Sequence, residues 1–394
     1  MGRALRARGH DVTVATNDYF SEQVAENGLG FVSLGTRPEA EALMGDPRLW
    51  HPRKGFESIV ELALVPNLSR LYRIIEERRG PGQVVAASSL CLGARIAQEK
   101  LGVPMASVHL QPSVFRSRVD NGRLGPFDMG PGMPRIVKSA LFWLIDTLYA
   151  ERLVGPEVNT FRGALGLKPV RGVFSTYFHS PRLVLGLFPD WFAPIQSDWP
   201  ANTHLTGFVL HDAWGRPEAH AEADAFLDAG PAPLLATPGS AAMDRTRFFL
   251  NTVKACESAG VRAMLVTNHP AQLPGTLPEG IRAFPYLPFS RILPRCAAIA
   301  YHGGIGTLAQ AIKASVPQLV VPNAHDQPDN GQRIERLGLG LTLSPRGYTQ
   351  RNASRAIGEL CRSEQIRGRC ATFAPRIDSR ASLERACTLI EGLA

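Results

Sequence analysis

The sequence predicts an α/β protein built from two doubly wound domains. Three observations carry that prediction. The chain has 394 residues, more than one hydrophobic core commonly serves. Its 37 glycines and 31 prolines are spread along it as punctuation between short apolar runs and helical stretches. The same strand–helix–strand unit is also written once in each half, and such units imply parallel strands.

Taken in order, GRALRARG reads as a helix stopped by Gly9, and DVTVAT (11–16) as the following strand. QVVAASS (83–89) is a buried strand, LGARIAQEKLG a helix, Val103-Pro104 a turn and MASVH a second strand. A strand over Leu205–Leu210 precedes HDAWGRPEAHAEADA (211–225), a polar stretch that places the boundary between domains 1–215 and 216–394. AEADAFLDAG is a short helix, and PLLATPGS (233–240) opens the second domain as a strand and turn. CAAIAYHGG (296–304), TLAQAIKAS, Val316-Pro317 and QLVVP then repeat the strand–helix–turn–strand unit. The amphipathic segments SRAIGELCRSEQIRGRCATF and SRASLERACTLIEGLA close the second domain as helices.

Composition narrows the function classes. Hydrophobic content is 44% and charged content 20%, values of an ordinary soluble protein. The net charge of +8 is scattered, without a basic run interleaved with aromatics, which argues against nucleic acid as a partner. Cys91, Cys256, Cys296, Cys361, Cys370 and Cys387 show neither CxxC pairing nor metal spacing, as expected of free thiols in a reducing cytoplasm. No apolar run reaches transmembrane length. The longest, Ala140–Ile145, reads as a packed helix, with peripheral membrane contact as the alternative.

Two loops carry the chemistry. HGGIGT places Gly303, Gly304 and Gly306 between a strand and a helix opened by Thr307. It is neither a P-loop nor GxGxxG. Bare backbone there brings N–H groups close to a ligand, and a helix start favours an anion, so a diphosphate is the expected guest. NAHDQPDN (323–330) follows one strand later, at the same sheet edge if the strands are parallel. Asp326 offers a carboxylate and Gln327 a donor and an acceptor, which suits sugar hydroxyls.

These residues carry a resemblance. HGGIGT, Val316-Pro317, Pro322, His325-Asp326-Gln327 and Asn330 resemble the C-terminal signature of nucleotide-sugar-dependent glycosyltransferases of the UDP-glycosyltransferase superfamily. MGDPRLWHP (44–52), SSLCLGARIAQEKLGVP (88–104), HSPRLVLGLFPDWFAPIQSDWP (179–200) and LTGFVLHD (205–212) are similar to bacterial rhamnosyltransferases of the rhamnolipid type. The resemblance implies a GT-B fold, two Rossmann-like domains facing a cleft. It implies an N-terminal domain for a small lipophilic acceptor and a C-terminal domain for a UDP or dTDP sugar. It further implies that His302 donates to the diphosphate, with Gly304, Gly306 and Thr307 contacting the same group. Gln310 stands where plant members carry a ribose-binding glutamate. Tyr286 stacks on the base, Leu287 meets the base edge through its backbone, and Gly239-Ser240 lies near the phosphates. Asp326 and Gln327 read the donor sugar. No metal and no other cofactor is expected.

The family's catalytic base sits in the loop after a first strand that would lie beside DVTVAT. This chain opens after that point, so no catalytic residue is assigned. The expectation is either an upstream start encoding an apolar strand and glycine-rich loop, or a non-catalytic relative that binds the donor alone. An NAD-dependent oxidoreductase is disfavoured by the missing GxGxxG. His109, at the end of MASVH, is the acceptor-side candidate, against a structural role. His10 reads as local capping, and His179 has no assigned chemistry.

Overall fold

A computed structural model describes residues 1–51, 54–124, 127–212, 217–239 and 246–394. It divides into two units, Met1–Val209 with Ser379–Ala394, and Leu210–Asp378. The second division thus falls beside the polar stretch named above, of which 213–216 lie outside the described residues.

The second unit is a six-stranded sheet in which every pairing is parallel. In spatial order its strands are Ile281–Phe284, Ala263–Val266, Leu234–Thr237, Ala298–Tyr301, Gln318–Val320 and Gly340–Thr342. Written in chain order within the unit, this is the 3-2-1-4-5-6 arrangement of doubly wound folds. The central strands Leu234–Thr237 and Ala298–Tyr301 are buried throughout, as a sheet covered on both faces requires. Phe249, Val253 and Cys256 of the helix Thr246–Ala259 pack in one cluster with Ala353, Ile357 and Leu360 of the helix Gln350–Arg362.

Among the described residues the first unit holds two parallel sheets and a short antiparallel pair, Arg123–Leu124 with Phe127–Asp128. Thr13–Asn17 pairs in parallel with Gly30–Gly35, and a separate parallel sheet runs Val85–Ser88, Met105–His109, Leu183–Gly186, Thr203–Leu205. The predicted strand over Leu205–Leu210 is shorter and earlier: Thr206 still donates to the Gly186 carbonyl, but Gly207 at φ +100° turns the chain out of the ladder.

The final helix, Ser379–Glu391, belongs to the first unit rather than closing the second. Ala386 and Ile390 on this helix, with Leu393 after it, pack on Ala106, Leu183, Leu185 and Leu187. Arg8 and His10 both reach Glu391, at 2.7 and 2.8 Å. Periodicity identified the apolar stripe of this helix but carried no information about which sheet would cover it.

The segment Ala140–Ile145 also differs from expectation. It lies in the helix Arg135–Ile145, but Trp143 and Leu144 point outward while Lys138 is buried.

Candidate functional site

The second unit's strand order reverses between Leu234–Thr237 and Ala298–Tyr301, which pair from Ala298↔Leu234 to Tyr301↔Thr237. Open α/β sheets bind ligands beyond the carboxyl ends of strands at such a switch point. The two loops leaving these strands carry Gly239 and His302. A Cβ on Gly239 would meet the His302 ring at 2.8 Å, and one on Gly304 would lie 2.4 Å from its Nε2. The imidazole therefore sits between two bare stretches of backbone, a placement that side chains at either position would obstruct. Ser240, the partner of Gly239 in the sequence reading, lies outside the described residues.

The helix after His302 runs Ile305–Lys313, capped by Gly304 and starting two residues before Thr307. Leu308 N–H is the first to reach back, donating to the Gly304 carbonyl at 3.0 Å. The N–H groups of Ile305, Gly306 and Thr307 thus precede the helical ladder, at the positive end of the helix dipole. Gly306 is exposed, and a Cβ there would meet nothing within 4 Å. This end of the helix is open.

The strands Ala298–Tyr301 and Gln318–Val320 are parallel, so HGGIGT and NAHDQPDN do leave the same edge. Contact between the loops is direct. Gly303, at φ +92°, is hemmed in by Val320 and Gln327, and Asn330 Nδ2 donates both to the Gly303 carbonyl at 2.9 Å and to Asp326 Oδ2 at 2.7 Å. Asp326 caps the helix Gln327–Leu337 and follows His325 at φ 58°, a left-handed conformation uncommon outside glycine. Burial raises the Asp326 carboxyl above the usual range, against the Asn330 bond that lowers it. A desolvated carboxylate of this kind gains from hydroxyl donors.

Two sequence-predicted residues have side chains engaged inside the protein. Gln327 is buried, and its Oε1 accepts from the N–H groups of Asn323 and Ala324 at 2.8 and 3.2 Å. That bond braces the loop and leaves the amide carbonyl occupied. Gln310 Nε2 donates to the His211 carbonyl at 3.2 Å. Tyr286, half-buried, is held by Asp212, whose Oδ1 accepts from its hydroxyl at 3.0 Å and whose Oδ2 accepts from Ser290 N–H at 2.6 Å. Leu287 is fully buried.

A pocket of about 220 Å³ opens beside His302. Pro238, Asn323 and Arg346, from loops after three different strands, line it together with Arg247 at the start of the helix Thr246–Ala259. Arg247, Arg346 and Asn323 were missed as site residues. Two arginines and a histidine lining one pocket form an anion-binding arrangement, with guanidinium groups suited to phosphate oxygens.

His109 lies elsewhere. It is 1% exposed, in the first unit, with its Nε2 3.1 Å from His179 Nδ1 and Phe115 packed near both rings. Burial, and then the neighbouring His179, pushes His109 down to about 3, and burial pushes His179 down to about 4. Both rings are neutral at pH 7 and form a structural pair. Because the folded-state values lie below the unfolded one, the unfolded chain binds more protons as pH falls below about 6.5. Their contribution is fully present above that pH and is lost on acidification, by about 1–2 kcal/mol per ring at pH 5. Urea midpoints of the wild type and His109→Phe/His179→Phe between pH 7 and 5 check this: the wild type falls more steeply than the double variant.

The comparisons with known proteins bear on this geometry. Residues 258–382 match the family model described as erythromycin biosynthesis protein CIII-like, C-terminal domain. The O-mycaminosyltylonolide 6-deoxyallosyltransferase of Streptomyces fradiae is 29% identical over 99% of this chain and 92% of its own length. The solved glycosyltransferase of kitacinnamycin superposes with a TM-score of 0.74 at 20% identity, over 99% of this chain and 93% of that one. The chain has the GT-B fold and is similar to glycosyltransferases along nearly its whole length. Further relatives include the 4'-demethylrebeccamycin synthase of Lentzea aerocolonigenes, 24% identical over all of this chain and 95% of its own. A spinosyn rhamnosyltransferase complexed with thymidine diphosphate has a TM-score of 0.65 at 19% identity, over 98% of this chain and 94% of that one.

The site allows a clean perturbation. Gly304 has φ −63° and ψ 137°, which alanine adopts without strain, but the new methyl group displaces the His302 ring. Gly304→Ala is expected to change stability by less than about 1 kcal/mol. It is expected to weaken nucleotide diphosphate binding about tenfold, the value of one charge-assisted hydrogen bond. Thermal melting and calorimetry on one preparation check both halves.

Proposed function

We propose that this glycosyltransferase moves a hexose, rhamnose or glucose, from a dTDP or UDP sugar to a hydroxyl of a lipophilic acceptor with inversion at the anomeric carbon. The observation that carries the reading is His302, seated between Gly239 and Gly304 at the open start of the helix Ile305–Lys313. As the sugar–phosphate bond breaks, charge accumulates on the leaving diphosphate. Preorganised N–H groups with His302, Arg247 and Arg346 stabilise that charge, without a resident metal. Asp326 holds the sugar hydroxyls. Gln327 acts by bracing the loop that presents Asp326, since its carbonyl is spent on Asn323 and Ala324. Tyr286, fixed by Asp212, carries the base, and Gln310 is assigned to the ribose end. The first unit takes the acceptor. A solved spinosyn rhamnosyltransferase complexed with spinosyn aglycone supports an aglycone as acceptor.

The test incubates the purified chain with dTDP-rhamnose and UDP-glucose against macrolide, sterol and hydroxyacyl acceptors, read by mass spectrometry. A glycosylated product from one donor supports the proposal; absence of both donor binding and product refutes it. The burial of His109 favours one second reading, donor binding without turnover. Binding in calorimetry with no product from any acceptor would establish it.

A further inference from the structure

We propose that the helical run from Arg135 to Arg152 docks this protein onto an anionic lipid bilayer, lying flat on the surface. The run comprises the helix Arg135–Ile145, a wider turn at Asp146–Ala150, and the start of the helix Glu151–Ala164. Its polarity is inverted. Lys138 is buried, with its Nζ donating to the Val119 carbonyl at 2.6 Å. Asp146 is half-buried and paired with Arg116, whose guanidinium also covers Phe142 at 5.5 Å. These contacts hold Lys138 and Asp146 inward.

The outward face is apolar. Ile136 is 79% exposed and Trp143 65%, and Val137, Leu144 and Leu148 are exposed with them. Ala140 and Thr147 complete the face, so it carries no charge over more than three turns. A soluble helix ordinarily shows the reverse pattern. Arg135 and Arg152 are exposed at the two ends, about 26 Å apart along the helix axis. Neither has an ion pair among the described residues.

Charge decides the occupant. A second copy of this chain, packed face to face about a two-fold axis, would set arginine against arginine at each end whichever way the helices ran. The face holds no acid to neutralise them. An anionic bilayer complements both features: its acyl boundary takes Trp143 and the leucines, and its headgroups take the two guanidinium groups. No helix among the described residues is long and apolar enough to cross a membrane, which fits a helix that lies on one. The inference does not rest on the transfer reaction, because adsorption is read without any sugar donor.

The full chain is sedimented with vesicles of phosphatidylcholine alone and of phosphatidylcholine containing phosphatidylglycerol. Binding to the anionic vesicles, weakened by salt, is the expected result. Leu144→Asp/Leu148→Asp and Arg135→Ser/Arg152→Ser are each expected to lower the vesicle partition coefficient about tenfold or more, with melting unchanged. Should the aspartate pair fail to fold, Trp143→Phe supplies the second readout. The emission difference between wild type and Trp143→Phe shifts to shorter wavelength on adding anionic vesicles. No sedimentation with anionic vesicles, or equal binding by the folded aspartate variant, overturns the proposal. Conversion of a dimer to a monomer by the aspartate pair in lipid-free buffer assigns the face to a protein partner and overturns it too.

Discussion

Replacing His302 by alanine is expected to lower the sugar-transfer rate about 10²–10³-fold, the usual effect of removing one preorganised donor to a developing negative charge. The ring is held by the backbone of Gly239 and Gly304, so its geometry costs nothing at the moment of reaction. Neighbouring N–H groups at Ile305, Gly306 and Thr307 remain, which limits the loss. Because the charge develops as the leaving bond breaks, kcat should fall more than donor affinity. His302→Gln, which restores a donor at nearly the same reach, should recover part of kcat. Steady-state kinetics with the identified donor and acceptor check the split. An unchanged kcat in the alanine variant would remove His302 from the mechanism.

The second large effect concerns stability. Arg162 has a side chain 1% exposed, yet it is charged. It donates to both carboxylate oxygens of Glu99 at 2.7 and 2.9 Å and to the Lys168 carbonyl at 2.9 and 2.7 Å. Tyr177 closes the network: its hydroxyl donates to Glu99 Oε2 at 3.0 Å, and its ring lies near the guanidinium groups of both Arg162 and Arg95. The cluster joins the helices Leu92–Leu101 and Glu151–Ala164 to the segment Val173–Tyr177. Arg162→Ala takes two of the donors from Glu99, which keeps the Tyr177 hydroxyl, and leaves the Lys168 carbonyl without the guanidinium, at a cost of about 2–3 kcal/mol, a large share of the 5–15 kcal/mol typical of a domain. Glu99 is a third exposed, so water can solvate it and Glu99→Gln should cost only about 1 kcal/mol. Urea unfolding of the first unit ranks the two variants; a loss below about 1 kcal/mol for Arg162→Ala would contradict this account of the cluster.

The sequence made some of this legible for physical reasons. HGGIGT and NAHDQPDN could be placed at one edge because an apolar run, a turn and a second apolar run fix parallel pairing through local pattern alone. Gly239 and Gly304 were readable because close backbone approach demands them. Arg247 and Arg346 were not, since they come from a helix start and a loop with no shared pattern and meet only through the sheet. Gln310 and Gln327 show the converse. Their positions were assigned, but hydrogen bonds to His211, Asn323 and Ala324 set where their amides point, and spacing does not encode that.

Periodicity carries a related limit. It marks the apolar stripe of a helix without saying what lies opposite. The stripe of Ser379–Glu391 covers the first unit's sheet, and that of Arg135–Ile145 faces outward. His109 and His179, 70 positions apart, meet only because the strand ending at His109 lies beside Leu183–Gly186.

The central claim is that a nucleotide's diphosphate rests against the start of the helix Ile305–Lys313, and a crystal structure with thymidine diphosphate bound tests it most directly. Phosphate oxygens are expected about 2.7–3.1 Å from N–H groups among Ile305, Gly306 and Thr307, with His302 donating to the same group. A diphosphate bound at another edge of the sheet, with this helix start left to solvent, would contradict it.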